Sequence, residues 1–124
     1  MPHPNKAKGD RWERLCAELL GLKRSRLRPG VHDDEGDLDD WAFIYECKDD
    51  NSRSPIQWWE QAERARARTR KPWSVVLAKT ACMTGKPKKP DQPEGWAIMS
   101  IEQWKQIRGY LGELEDSNPH VRFR

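Results

Sequence analysis

The sequence predicts a three-layer α/β fold, a mixed central sheet of four to five strands flanked by helices, and three observations predict it. Apolar residues recur at helical spacing over residues 8–20. Two runs rich in aromatic and β-branched side chains, WAFIY at residues 41–45 and WSVVLAK at residues 73–79, read as strands. Two further segments of helical period, residues 55–70 and the stretch from Ser100 onward, follow those runs in turn. The expected order is α-β-β-β-α-β-β-α, in one domain spanning residues 1–124 with loose tails at about 1–6 and 115–124.

The tail at 1–6 is polar and contains proline. In the first helix Trp12, Leu15, Cys16, Leu19 and Leu20 share a face at i, i+3, i+4, i+7 and i+8, and Gly21 serves as C-cap. Residues 23–29 (KRSRLRP) form a short strand or edge segment ending at the turn signal Pro29-Gly30, and 31–35 form an acidic loop. Leu38 then precedes the turn-prone pair Asp39-Asp40 and the strand from Trp41, so residues 36–48 read as a tight hairpin. Strand alternation puts Phe43, Tyr45 and Cys47 on one face and Ile44, Glu46 and Lys48 on the other. Asp37, in the opposing arm, can lie across from them.

After a loop at 49–53, Ser54-Pro55 has the form of an N-cap with proline at N1. In the helix that follows, Trp58, Ala62, Ala65 and Thr69 make a narrow stripe suited to close packing on a sheet. Gln57, Gln61, Arg64 and Arg68 make the adjacent stripe. Residues 73–79 read as a central strand, continuous and β-branched. Residues 84–94 (TGKPKKPDQPE) are too rich in proline for a helix or strand interior and read as a loop whose lysines could track a nucleic-acid backbone. Residues 96–100 make a short strand. Ser100-Ile101-Glu102-Gln103 has the capping-box form for a last helix, with Ile101, Trp104, Ile107, Leu111 and Leu114 as its buried face. Most of the seven tryptophans belong in the core on this reading. Adjacent Trp58 and Trp59 cannot both face inward, which leaves one for a dimer contact or a base-stacking platform.

Charged residues make up 35% of the chain and mean hydropathy is −1.05, so the core must be lean. No apolar run is long enough to cross a membrane and the N-terminus lacks a signal-peptide core, which predicts a soluble, cytoplasmic protein. Cys16, Cys47 and Cys82 are odd in number and include no CxxC pair, which argues against a disulfide framework or a zinc site. His3, His32 and His120 are scattered and read as surface or loop residues. The net charge of +3 is small, but its distribution is uneven. Acids concentrate in residues 33–50, with Lys23, Arg24, Arg26 and Arg28 before them and Arg64, Arg66, Arg68, Arg70 and Lys71 after. An acidic centre with basic arms fits an enzyme that holds a metal in the middle and a polyanion around it.

Two carboxylates and a lysine at one strand end have a chemical use. Hard oxygen ligands suit Mg²⁺, and a nearby ammonium can orient an attacking water and offset charge developing on a phosphate. Asp37, a hairpin's length of chain, and Glu46-x-Lys48 form a pattern that resembles the PD-(D/E)xK nucleases. Gly9-x-x-x-Glu13-Arg14 on the first helix, ahead of those motifs, resembles the Holliday-junction-resolvase branch, archaeal and phage-encoded, over about residues 8–70. The resemblance implies a restriction-endonuclease-like fold and an Mg²⁺-dependent endonuclease, with Mn²⁺ able to substitute. It implies metal ligation by Glu13, Asp37, Glu46 and the main-chain carbonyl of Cys47, with Lys48 and Gln61 joining the catalytic set. It also implies a homodimer acting in a cytoplasm, a phage host's included, on four-way or other branched DNA, contacted by Arg24, Arg26, Arg64 and Arg68. The chain departs from the family at Gly36, where proline often stands, and Asp39 and Asp40 remain alternatives to Asp37. The other class of reading is a non-catalytic DNA-binding or assembly protein on a nuclease-like scaffold.

Overall fold

Strand β2 (Trp73–Lys79) is the centre on which the other elements are laid. Ser74, Val75, Val76 and Ala78 along it are all buried, as a strand covered on both faces requires. The computed structural model describes residues 4–25, 36–52, 54–118 and 120, with side chains described from residue 8 onward. β1 (Phe43–Lys48) runs parallel to β2, pairing Phe43 with Trp73 through Lys48 with Ala78. β3 (Gly95–Ile98) runs antiparallel on the other side, pairing with residues 76–79, so the order is β1-β2-β3.

The described sheet therefore has three strands where four to five were expected. The missing pairings survive as fragments. Asp37 N donates to Tyr45 O at 2.7 Å, and Arg24 and Leu38 form an isolated antiparallel bridge. Gly36 sits at φ +90°, and an added Cβ there would lie 3.0 Å from Tyr45 N. Between that turn and the Asp39-Asp40 pair, only a few residues can pair, so the hairpin's first arm stops short of a strand.

Helix α1 (Pro4–Leu20) begins before the predicted start, so residues 4–6 are helical and not a tail. Proline's fixed φ fits a first turn, where its missing N–H costs nothing. Trp12, Cys16 and Ala17 pack with Leu38 on the sheet face that carries Tyr45, Cys47 and Leu77. Trp12 Nε1 reaches across to Leu77 O at 2.9 Å. That approach needs Gly95, because a Cβ there would stand 2.6 Å from the indole and 2.8 Å from Ala78 O. Helix α2 (Pro55–Thr69) covers the opposite face, with Trp58, Ala62 and Ala65 against Ile44, Val76 and Ala78. Pro55 is at N1 as expected, but the Ser54 hydroxyl caps nothing and donates instead to Ser52 O. Trp59 is half-buried, packed against the edge of the same cluster, while Trp58 faces inward.

A single helical turn, α3 (Thr80–Thr84), follows β2 and was not expected. Thr80 N donates to Glu94 O at 3.0 Å, and the Thr80 hydroxyl donates to Pro93 O, which pins the far end of the proline- and lysine-rich loop. The last helix, α4 (Ile101–Ser117), starts at Ser100, whose hydroxyl accepts from Gln103 N. The reciprocal half of the capping box is absent. The Gln103 carboxamide is spent on β2, accepting from Ser74 N at 2.8 Å and donating to Ser74 O at 2.6 Å.

The expected buried face of α4 is the largest correction. Gln103 is the buried residue of that helix, while Ile101 is 81% and Trp104 49% exposed. The apolar period was real, but Ile107 and Leu111 are only half-buried and Leu114 is exposed. Likewise only Trp12 and Trp58 lie in the buried core, and Trp41, Trp96 and Trp104 are exposed. The helix also runs through residues 115–117, which were expected to be loose. No helix among the described residues is long and apolar enough to cross a membrane.

Candidate active site

Strand alternation sends neighbouring side chains of β1 to opposite layers. Glu46 sits on the α2 side with Ile44 and is only 3% exposed. Lys48, two residues on at the C-terminal end of the strand, donates from Nζ to Gln61 Oε1 of α2 at 2.6 Å. Lys48, Gln61 and Arg64 line an open groove of about 460 Å³ with Gln57, Asp50 and Ser52. The stripe of α2 read from the sequence therefore does border Lys48. Arg68 lies a turn further along α2, exposed, and is not part of the groove wall.

Asp37 comes to the same strand from the other side. Its Oδ2 accepts from Cys47 N at 2.7 Å, which ties the carboxylate to the residue between Glu46 and Lys48. The Gly36 departure has a local explanation, since φ +90° is closed to proline. Between the alternatives, Asp39 is exposed and Asp40 is engaged by the Tyr45 hydroxyl. Burial, then the charge and hydrogen bond of Asp40, push the Tyr45 hydroxyl up to about 12.

Glu13 stands differently. Its Oε1 accepts from Arg24 Nε at 2.9 Å, and Arg24 Nη2 donates to Asp10 Oδ1 at 2.7 Å. The hydrogen bond to Glu13, then that to Asp10, raises the Arg24 pKa above its ordinary value. Arg24, expected to meet nucleic acid, thus has its charge offset by two acids of α1. Arg26 lies outside the described residues, as do His3 and His32.

The Cys47 thiol points to the α1 side, against Cys16. A hydrogen bond with Cys16, then burial, then the charges of Asp37 and Glu13 hold it well above the usual thiol range. Among the described residues, no three His, Cys, Asp or Glu side chains gather into a ready-made metal cage.

One residue near this end of β1 escaped sequence reasoning. Asp49 continues the alternation toward the α1 side, its side chain 1% exposed, between Lys8 Nζ at 3.3 Å and Lys79 Nζ at 3.6 Å. The signal available was its position, one step past Lys48 with the opposite parity; its partners come from α1 and β2, which no local spacing reveals. Scans against family models and searches of curated proteins and of solved structures found no match to this chain.

Proposed function

We propose that this chain is a metal-dependent, structure-selective DNA endonuclease that hydrolyses phosphodiester bonds in branched DNA, as the junction resolvases it resembles do. One observation carries the reading. The Lys48 ammonium, fixed by Gln61 at the mouth of a groove that Arg64 also lines, stands two residues from a buried glutamate, and the Asp37 carboxylate closes on the intervening residue.

The donor set fits a hard divalent cation, because Asp37, Glu46 and the Cys47 carbonyl offer only oxygen. Glu13 completes the set through whatever part of its carboxylate Arg24 leaves available. A divalent ion bound there supplies Lewis-acid polarisation of the scissile phosphodiester. The remaining work belongs to the chain's own side chains. An ammonium has three donors, and Gln61 takes one of Lys48's, leaving two to orient an attacking water and to offset charge on the phosphate. Gln61 is then a positioning residue, acting through Lys48. Arg64, whose planar guanidinium suits phosphate oxygens, holds the strand being cut, and Arg68 extends the same stripe. A homodimer would set two such sites on the two-fold symmetry of a four-way junction.

The test is nicking of supercoiled plasmid in Mg²⁺ or Mn²⁺, with EDTA and with Glu46→Gln as controls. Nicking that needs the metal and is lost in Glu46→Gln supports the proposal. DNA binding without nicking under any of these conditions would replace it with the non-catalytic DNA-binding or assembly reading.

A further inference from the structure

Asp49 is held by charge alone. Its side chain is 1% exposed, yet among the described residues neither carboxylate oxygen has a hydrogen-bond partner. The Lys8 ammonium of α1 stands 3.3 Å from Oδ1, and the Lys79 ammonium of β2 stands 3.6 Å from Oδ2. A buried carboxylate is tolerated only where such partners compensate it. The charges do not balance, because two ammoniums surround one carboxylate. Among the described residues neither lysine pairs with a second acid. Their side chains are 33% and 38% exposed, so both reach solvent past the carboxylate they bury.

We infer that Lys8 and Lys79, held side by side by Asp49, form a second phosphate-binding site, which takes the DNA backbone on the α1 side of the sheet. The excess positive charge selects an anion. Each ammonium has three donors, and Asp49 accepts none of them in hydrogen-bonding geometry, so the donors are left for phosphate oxygens. Asp49 also keeps the two ammoniums together before any ligand arrives, which reduces the side-chain freedom lost on binding.

The place in the fold favours a backbone phosphate over a small free one. Lys48 and Asp49 are consecutive at the C-terminal end of β1, and their side chains leave on opposite faces. Lys48 goes to the groove that Arg64 lines, Asp49 to the lysine pair. A polyanion that crosses the end of the sheet meets both, whereas a free phosphate fills only one. The connection 85–94, which carries Lys86, Lys88 and Lys89, also returns at this end, where Thr80 N holds Glu94 O. The inference rests on the DNA-binding part of the function proposed above and not on cleavage.

Anisotropy of a labelled linear duplex in EDTA, from about 50 to 200 mM salt, tests it with cutting suppressed. Lys8→Met, Asp49→Asn and Lys79→Met together remove the cluster without stranding a buried charge, and they lower the net charge by one. Lys105→Met, at an exposed position on α4, lowers it by one as well and serves as the charge-matched control. The triple variant should reduce the slope of log K against log salt by about 1.8, at about 0.9 for each lost phosphate, and Lys105→Met should leave it unchanged. If urea unfolding shows that the triple variant does not fold, Lys79→Met alone carries the test, since Asp49 keeps Lys8, with half the change expected. A wild-type slope in the cluster variants would overturn the inference, as would equal effects from the cluster and from Lys105→Met, which would make the lysines diffuse charge. A rise in the wild-type melting midpoint with inorganic phosphate, lost in the triple variant while the DNA slope stays, would assign the pair to a free phosphate compound instead. Wild type that binds no DNA at any salt would remove the proposed function and the inference together, an outcome distinct from all of these.

Discussion

Replacing Gln103 by alanine should loosen α4 from the sheet at a cost that can be worked from two hydrogen bonds. The Gln103 carboxamide accepts from Ser74 N at 2.8 Å and donates to Ser74 O at 2.6 Å, and its residue is 6% exposed. β3 pairs with β2 only from Val76 onward, so Gln103 does for Ser74 what a longer β3 would have done. Without it two main-chain groups lose their partners in a buried place. An orphaned buried group costs about 1–3 kcal/mol, so the pair should cost about 2–4 kcal/mol, partly relieved by entering water. For a chain of this length that corresponds to a fall in Tm of roughly 8–15 °C. Urea unfolding reads it directly as a lower midpoint. Gln103→Glu sharpens the test. An ionised carboxylate can accept from Ser74 N but cannot donate to Ser74 O, so that variant should be less stable relative to wild type at pH 7 than at pH 4. A Gln103→Ala protein within about 0.5 kcal/mol of wild type would refute the reasoning, since surface substitutions fall in that range.

Two other outcomes follow from the geometry. Arg64→Ala should lower the slope of log K against log salt for duplex DNA by about 0.9 for each phosphate that Arg64 neutralises. Arg66→Ala should leave the slope unchanged, because Arg66 is paired with Glu63 and stands away from the groove. For pH, the folded state holds the Tyr45 proton more tightly than the unfolded chain does. The stability it contributes is therefore whole below about pH 10 and is lost as pH climbs toward the folded value of about 12. Absorbance titration should show one of the two tyrosines ionising near that value, and Tyr45→Phe should be flat where wild type weakens.

What the sequence made legible was local. β2 was readable to the residue because a strand covered on both faces must be apolar throughout, and Val75, Val76 and Ala78 say so without reference to neighbours. The α2 stripe was readable because Trp58, Ala62 and Ala65 repeat at the period of the helix they form. The site was legible in part: Glu46 and Lys48 share a face by alternation, but Gln61 was placed beside them by family resemblance. What failed was everything decided by a distant partner. The α4 apolar stripe was correctly periodic, yet periodicity cannot say whether the surface that covers it belongs to the same chain. The Arg24 bridge to Glu13 and Asp10 joins residues eleven and fourteen apart across a helix end, so the sequence could not show that this basic residue is paired with two acids. Asp49 passes for a loop residue for the same reason, because Lys8 and Lys79 approach it from two other elements.

The central claim is that Lys48 serves the chemistry at β1 and not merely the grip on DNA. It is tested most directly by measuring cleavage and affinity separately for wild type and Lys48→Ala on one labelled four-way junction, with single-turnover rates in Mg²⁺ and binding in Ca²⁺. The account predicts that cleavage falls by roughly 10²–10³-fold while affinity stays within a few-fold. Cleavage and affinity falling together would make Lys48 a phosphate anchor, and cleavage that survives its loss would contradict the account outright.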